Sequence, residues 1–243
     1  MIRIECKGLS KRFGSVHAVR NLSLSVANGE VLGFLGPNGA GKTTTMRMIT
    51  GYLTPDAGSI MIDGIDVMRH PVEAQQRIGY VPEGVPLYPE MTPYQLLCFM
   101  AKMRGLSRAR TRERLELVIG WLQLESVLEQ PIETLSKGYK RRVGMAQAII
   151  HDPEVLILDE PTDGLDPLQK REVRALIRSM AQHKAMIIST HILEEVDAVC
   201  SRAVIISNGA LIADGTPAQL RATYKNDNLD EVFCMLAQQG NKQ

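Results

Sequence analysis

The sequence has no long hydrophobic run. Its apolar stretches end after about four to six residues, whereas a membrane-spanning helix needs about 20 consecutive apolar residues. The amino-terminal segment MIRIECKGLSKRFG carries charges throughout and lacks an apolar core, so we expect no secretory signal. These absences argue against a chain that spans a membrane by itself, and a membrane is expected to matter only through a partner.

The sequence also lacks paired cysteines and net charge. Its four cysteines (Cys6, Cys98, Cys200 and Cys234) form no CxxC pair, which favours reduced, buried thiols in a cytosolic protein over a disulfide framework. The 28 basic and 27 acidic residues leave a net charge of +1, which gives no electrostatic argument for binding nucleic acid or an anionic membrane. With 243 residues, 44% of them hydrophobic, the chain is predicted to be soluble and globular.

Alternating apolar strands and helical stretches predict an α/β fold. The first 30 residues are expected to form short strands and turns, and Asn208-Gly209 marks a later hairpin. Continuous apolar runs indicate buried strands at 30–36, 155–159 and 185–190. We found no internal repeat and no low-complexity segment.

Residues from about 92 to 152 have a different pattern. Apolar side chains recur there at helical spacing, and the longest helical stretch is expected over 107–130. We therefore predict an all-helical insert in the α/β core. Near the end of the chain, four apolar residues at i, i+3, i+4 and i+7 predict a short amphipathic helix, for which packing on the chain's own core is favoured over binding a partner: Leu229, Val232, Phe233 and Leu236.

The segment GPNGAGKTT matches the phosphate-binding pattern GxxxxGK[ST] between a predicted strand and a predicted helix. Its glycines let backbone N–H groups turn towards phosphate oxygens, and the helix start adds partial positive charge. A lysine suits the β- and γ-phosphates, and a threonine hydroxyl suits Mg²⁺. The alternative is a glycine-rich turn with an incidental lysine. We assign the whole segment to nucleotide binding: Gly36, Pro37, Asn38, Gly39, Ala40, Gly41, Lys42, Thr43 and Thr44. No N/TKxD element is present, which argues against a GTPase.

Two acids follow the apolar strand in VLILDEPTDGLD. Asp159 at the strand end is suited to hold Mg²⁺ through water, and Glu160 to polarise a water against the γ-phosphate as a general base. A paired-acid surface turn is the alternative. His191 ends another apolar strand in STH, so we expect it at the same sheet edge, although a lone histidine is more often structural.

In this order and spacing, the segments GPNGAGKTT, YVPE, LSKGY, VLILDEPT, GLD and STH resemble the nucleotide-binding subunit of an ABC transporter. The resemblance implies a P-loop NTPase core with a mixed central sheet, flanking helices, an amino-terminal antiparallel β part and an inserted helical subdomain. It covers residues 2–220, which we predict to be the ATPase domain, with its helical subdomain at about 92–152. Residues 221–243 are then a short helix and tail.

The resemblance also implies roles for single residues. Phe13 would stack on adenine, Glu160 would be the catalytic carboxylate, and His191 would sense the γ-phosphate. Asp166 in GLD would belong to the loop that contacts the opposite subunit. Lys42 would take part in catalysis as well as in binding.

Two positions depart from the family's pattern. The usual glutamine of the loop after YVP is Glu83, whose carboxylate can face Mg²⁺ but cannot donate a hydrogen bond as an amide can. The usual LSGGQ signature is LSKGY here. Ser136 and Gly138 are kept, so a hydroxyl and a backbone N–H at a helix start remain available for an anion. We expect this signature to complete the site of a second subunit.

The implied protein binds ATP and Mg²⁺, hydrolyses ATP and drives a separately encoded transmembrane permease. Two such subunits, in a homodimer or a heterodimer, would enclose two ATP molecules head to tail. We expect a peripheral subunit on the cytoplasmic face of the inner (cell) membrane, and the prolines after Glu83 lie where the family docks its membrane subunit. The segments YVPE, LYPEMT and LSKGY are similar to multidrug-type and gliding-motility-type bacterial exporters, so export is expected.

Other functions were weighed against this one. A soluble ABC ATPase would clamp a non-membrane partner in DNA repair, translation or iron–sulfur assembly, but repair types need a long coiled-coil insert and translation types two ATPase domains. Four arginines lie at 108, 110, 112 and 114, but Glu113 and Glu116 are interleaved with them, so a solvated helix face is favoured and no nucleic acid is expected. A catalytically inactive partner is disfavoured because Glu160 and His191 are both present.

Overall fold

Two β-sheets organise the chain, and the predicted α/β fold is confirmed. The computed structural model describes residues 1–224, 226, 228, 231–233 and 235. An antiparallel sheet contains β1 (Ile2–Phe13), β2 (Val16–Ala27), β4 (Ala57–Ile62) and β5 (Ile65–Asp66). A mixed sheet contains β3 (Val31–Leu35), β6 (Ile78–Val81), β7 (Val155–Asp159), β8 (Ala185–Thr190), β9 (Arg202–Ser207) and β10 (Ala210–Gly215).

The mixed sheet has the order β10-β9-β3-β8-β7-β6, and all its pairs are parallel except that of β10 with β9. Leu35 of β3 pairs with Thr190 of β8, and Asp159 of β7 pairs with Ser189. The carboxyl ends of these three strands therefore meet at one edge of the sheet. The phosphate-binding segment, the two acids and His191 all follow these ends.

Several helices of the described chain begin at a side-chain cap. Thr92 and Asp166 each form a capping box with a glutamine three residues later, and Ser107 and Ser136 each accept one backbone N–H. The helices of the described chain are α1 (Lys42–Ile49), α2 (Pro71–Gln76), α3 (Pro93–Met103), α4 (Arg108–Leu122), α5 (Lys137–Ile149), α6 (Pro167–Ala181), α7 (Leu193–Val199) and α8 (Pro217–Tyr224). Helices α3 to α5 lie between β6 and β7 in the chain, within the predicted helical insert.

Apolar side chains pack on both faces of the mixed sheet. On one face, residues of α3, α5 and α6 join the sheet in one core. On the other face, the antiparallel sheet and α1 pack around Phe34 and Ile157. The strands β3, β7 and β8 are buried along their whole length, which explains their continuous apolar sequences.

Two local expectations were wrong. The helical stretch over 107–130 ends as an α-helix at Leu122, because Gln123 adopts φ 51°. There the N–H groups of Gln123 and Leu124 bond to carbonyls of the last helical turn, which closes the helix, and a 3₁₀ turn follows at Glu125–Val127. The first residues also form two strands of 12 residues each rather than short ones.

The carboxyl-terminal prediction is only partly covered. Val232 is fully buried in a small core with Leu35 and Leu193, which fits packing on the chain's own core. Leu229 and Leu236 lie outside the described residues. In the part of the chain that the structure describes, no helix has the length and apolarity needed to cross a membrane.

Candidate active site

A cavity of about 640 Å³ opens at the carboxyl edge of the mixed sheet. It brings together most of the residues that the sequence assigned to a site, although they come from segments far apart in the chain. Its lining consists of Val16, Ala18, Asn38, Gly39, Gly41, Lys42, Thr43, Thr44, Glu83, Asp159, Glu160, Asp163 and His191.

The loop between β3 and α1 is pressed against neighbouring backbone. Gly41 has φ 105°, and a Cβ at this position would lie 2.3 Å from the carbonyl oxygen of Ala18. At Gly36, a Cβ would lie 2.6 Å from the carbonyl oxygen of Ile206. A side chain at either position would displace the loop. Gly36, Pro37 and Ala40 therefore shape the loop without lining the cavity.

Lys42 is the buried cation of the cavity. Its Nζ donates to the carbonyl oxygens of Gly36, at 2.7 Å, and Pro37, at 3.2 Å. Burial lowers the pKa of Lys42, while the nearby carboxylates Glu160, Asp159 and Glu83 act in the opposite direction. Three acids thus face one ammonium group at the helix start.

Asp159 and Thr43 form an oxygen pair in the cavity wall. The Thr43 hydroxyl lies 3.4 Å from Oδ2 of Asp159, and the Ser189 hydroxyl donates to Oδ1 of the same carboxylate. Asp159 is almost fully buried. Hydroxyl and carboxylate oxygens are the ligands that Mg²⁺ prefers, so this pair fits a bound Mg²⁺ ion.

Glu160 and His191 contact each other directly. Oε1 of Glu160 lies 2.9 Å from Nδ1 of His191. Glu160 adopts φ 51°, a left-handed conformation that the sequence pattern did not predict. Such a conformation in a residue other than glycine costs of order 1–3 kcal/mol and is found most often at functional sites. It places the carboxylate in the same cavity as Asp159.

Besides Gly36, Pro37 and Ala40, three predicted site residues lie outside the cavity lining. Phe13 is half-exposed at the end of β1, with Nζ of Lys11 5.8 Å from its ring centroid. Ser136 accepts the N–H of Tyr139 at 3.3 Å and caps α5. Gly138 packs against α6, where a Cβ would lie 2.7 Å from the side chain of Gln169.

Sequence reasoning missed other lining residues. Val16 and Ala18 enter from β2, and only the pairing of Phe13 with Val16 across the β1–β2 turn relates them to the site. Asp163 also lines the cavity, and its carboxylate lies 3.0 Å from Nζ of Lys137. The sequence signal available for Asp163 was its position in PTDGLD. No local sequence pattern predicts its pairing with Lys137.

Known proteins share the sequence and the fold of this chain. A model of the ABC transporter family matches residues 19–163. The chain is 39% identical to Nod factor export ATP-binding protein I of Ralstonia nicotianae, over 89% of this chain and 68% of that protein. It is 36% identical to the linearmycin resistance ATP-binding protein LnrL of Bacillus subtilis, over 93% of this chain and 73% of that protein.

A solved ATP-binding subunit of an ABC transporter has the same fold. It superimposes with a TM-score of 0.90 at 32% identity, covering 96% of this chain and 99% of that subunit. Fold, family match and relatives confirm the resemblance drawn from the sequence. The chain belongs to the ABC transporter family, as one of its ATP-binding subunits.

Proposed function

We propose that this subunit hydrolyses ATP with Mg²⁺ in the cavity at the sheet edge and thereby drives export through a separate membrane permease. The observation that carries the proposal is the convergence of Lys42, Thr43, Asp159, Glu160 and His191 on one cavity. Each of these side chains supplies a different function that phosphoryl transfer to water needs.

The loop at 36–44 would hold the phosphates. The first residues of α1 line the cavity, and the backbone N–H groups and dipole of a helix start favour an anion. Nζ of Lys42, which donates to two loop carbonyls, would reach the β- and γ-phosphates after a small movement. The ammonium group would then neutralise part of the negative charge of the phosphates, which would otherwise face three carboxylates.

Thr43 and Asp159 are the residues that would hold Mg²⁺. Mg²⁺ usually takes one or two protein oxygens and completes its shell with water and phosphate, and this pair offers that number. Glu83 lines the same cavity and is a third candidate ligand. When bound, the ion would neutralise charge on the phosphate oxygens.

Glu160 would act as the general base. Its carboxylate is accessible to the cavity and would accept a proton from the attacking water. The contact with Nδ1 of His191 fixes the direction of the carboxylate, and His191 would contact the γ-phosphate with its other ring nitrogen. The two residues would therefore work as a unit.

The signature segment would act on a second subunit. Ser136 and Gly138 lie outside the cavity of their own chain, yet they start a 13-residue helix whose first N–H groups could meet an anion. We therefore propose that two chains, identical or related, close head to tail, with Asp166 at their contact. In this proposal, residues 2–220 form the ATPase domain, residues 92–152 its helical subdomain and residues 221–243 a helix and tail.

A Ser136→Ala variant should separate a trans site from a simple cap. We expect dimer-dependent hydrolysis to fall at least tenfold while ATP binding to the single chain persists. Ser107→Ala is the matched control, because Ser107 caps α4 with the same 3.3 Å bond to a backbone N–H. Both variants should lose about 0.5–2 kcal/mol of stability. Equal ATPase rates in the two variants at matched folded concentration would leave Ser136 as a cap only.

Phe13 would contribute to adenine binding by stacking. A Phe13→Ala variant is expected to weaken ATP binding about tenfold, since base–aromatic stacking contributes about 1–3 kcal/mol. Titration with a fluorescent ATP analogue measures this change. Tyr52→Ala is the control, because Tyr52 is also an exposed aromatic residue but lines a different cavity. Phe13, by contrast, pairs with the lining residue Val16. If the Phe13→Ala variant bound the ATP analogue as tightly as the control, Phe13 would not belong to the site.

The permease would dock on the surface that follows Glu83. This loop contains Pro86, Pro89 and Pro93, and prolines stiffen a contact surface. Exposed apolar side chains cluster on the loop and on the next helix, which fits a partner: Tyr88, Tyr94, Phe99 and Met103. A subunit docked in this way would be peripheral on the cytoplasmic face of the cell membrane. The relatives named for Nod factor export and linearmycin resistance favour export.

Isolation of the tagged chain from detergent-solubilised membranes tests this partner. We expect a polytopic membrane protein to co-purify and to be lost when Tyr94 and Phe99 are both replaced by aspartate. A soluble partner retained by both forms would instead favour the alternative, an ABC ATPase that clamps a non-membrane protein.

A further inference from the structure

Arg141 is a buried arginine that bonds almost entirely to backbone. It lies on α5 and is 6% exposed. Nη1 donates to the carbonyl oxygens of Pro82, at 3.0 Å, and Glu83, at 2.9 Å. Nε donates to the carbonyl oxygen of Pro161 at 3.3 Å. Nη2 donates to the carbonyl oxygens of Asp159 and Glu160.

These five carbonyls belong to two loops that follow neighbouring strands. The loop after β6 carries Glu83, Asp159 is the last residue of β7, and the loop after β7 carries Glu160. Both loops line the cavity, and Glu160 has the left-handed backbone described above. A strained backbone persists only where its surroundings fix it, and the guanidinium of Arg141 contacts the carbonyl group of this residue.

We propose that Arg141 is a positioning residue for ATP hydrolysis, which holds the loops at 82–83 and 159–161 in register so that Glu160 and Glu83 face the same phosphate. This inference rests on the proposed function. Arg141 does not itself line the cavity, and none of its described hydrogen bonds reaches the phosphate-binding loop. It contacts the backbone of the lining residues Glu83, Asp159 and Glu160 instead.

The chemistry of arginine explains why this residue type is suited to the position. A guanidinium group offers five N–H donors in a rigid plane, whereas a lysine ammonium offers three donors around one point. The five donors match the five carbonyl acceptors, whereas an ammonium group could serve at most three of them. Burial lowers the pKa of Arg141, and the surrounding acids, with Asp163 the strongest, act in the opposite direction. The positive charge of Arg141 is therefore stabilised by the carbonyl dipoles and by the acids of the site.

Arg142 provides a matched control in the next position of the same helix. It is also buried, at 8% exposure. It donates to the carbonyl oxygen of Leu122, to Oε1 of Gln123 and, at 2.6 Å, to Oε2 of Glu172. These contacts join α5 to α4 and α6, and none reaches the loops at 82–83 or 159–161 within the described residues.

The experiment compares Arg141→Met and Arg141→Lys with Arg142→Met and Arg142→Lys in the full chain. For each protein we would measure the melting temperature, the Kd of a fluorescent ATP analogue, and kcat and KM for ATP. We expect both Arg141 variants to lose kcat at least tenfold with KM and Kd within threefold of wild type. The Arg142 variants should keep kcat within threefold at a comparable loss of melting temperature.

Three kinetic results would overturn the proposal. The Arg141 variants could keep kcat within threefold, or lose no more kcat than the Arg142 variants, or raise KM as much as they lower kcat. An unfolded Arg141→Lys beside a folded Arg142→Lys would assign Arg141 to stability alone and would also overturn it. The same assay separates this inference from the proposed function. If the wild-type protein hydrolyses ATP and the Glu160→Gln variant does not, the proposed function is supported, whatever the activity of the Arg141 variants. An inactive wild type would contradict both.

Discussion

A Glu160→Gln variant is expected to lose ATP turnover by about 10²–10⁴-fold, the range that a general base contributes, while its affinity for ATP stays near that of wild type. Glutamine has the shape of glutamate and can still bond to His191, whose Nδ1 lies 2.9 Å from the carboxylate. An amide cannot accept the proton of the attacking water. The variant should therefore accumulate with ATP as a closed dimer, visible by size-exclusion chromatography.

Glu194→Gln is the control for this experiment. Glu194 lies three residues after His191, but its carboxylate pairs with Arg174 at 2.8 Å and is well exposed. This variant should hydrolyse ATP within about threefold of wild type and should not change the elution volume. If Glu160→Gln turned over ATP near the wild-type rate, Glu160 would not be the base, and His191 or another lining carboxylate would need to take its place.

Much of this site could be predicted because its parts have local signals. A buried parallel strand is a continuous apolar run, and the residue after such a run lies at the carboxyl edge of the sheet. That rule places Asp159 and His191 beside the loop after β3, although more than a hundred residues separate this loop from β7. The register of Asp159 with Ser189 in the structure agrees with that placement.

The remaining features depend on contacts that no local pattern encodes. The stretch KGYKRR looks like a basic helix start, yet its cations have separate partners: Lys137 pairs with Asp163, Arg141 with backbone carbonyls, and Arg142 with Glu172. These partners lie between 18 and 59 residues away in the chain. The end of α4 was missed for a related reason, since Gln123 has no intrinsic preference for φ above zero that a pattern could use.

The proposed trans role of the signature depends on the same helix. Ser136 begins α5, and Arg141 lies five positions later, on the part of α5 that contacts the acid loop. A movement of the helix start on contact with a second subunit would therefore be transmitted to the loop that carries Glu160. The Ser136 and Arg141 variants probe the two ends of this connection, and coupled effects in the double variant would indicate that they act together.

A Lys42→Ala variant is expected to bind ATP more than about 10²-fold more weakly than wild type, so that titration with a fluorescent analogue detects no binding at micromolar concentration. Loss of one member of a buried charge pair costs about 3–5 kcal/mol. Arg47→Ala is the control, because this cation lies on the same helix but outside the cavity lining. Near-equal affinities in the two variants would show that Lys42 does not contact the phosphates.

The size of this effect follows from the balance of charge in the cavity. Its described lining contains four carboxylates, those of Glu83, Asp159, Glu160 and Asp163, and Lys42 is its one lysine or arginine. Without that ammonium group a polyanion would meet an acidic cavity with only backbone N–H groups and Mg²⁺ to attract it. Excess Mg²⁺ should therefore recover part of the affinity of Lys42→Ala, whereas it should leave Arg47→Ala unchanged. The carboxylates that serve hydrolysis would thus oppose nucleotide binding unless Lys42 and the metal offset them together.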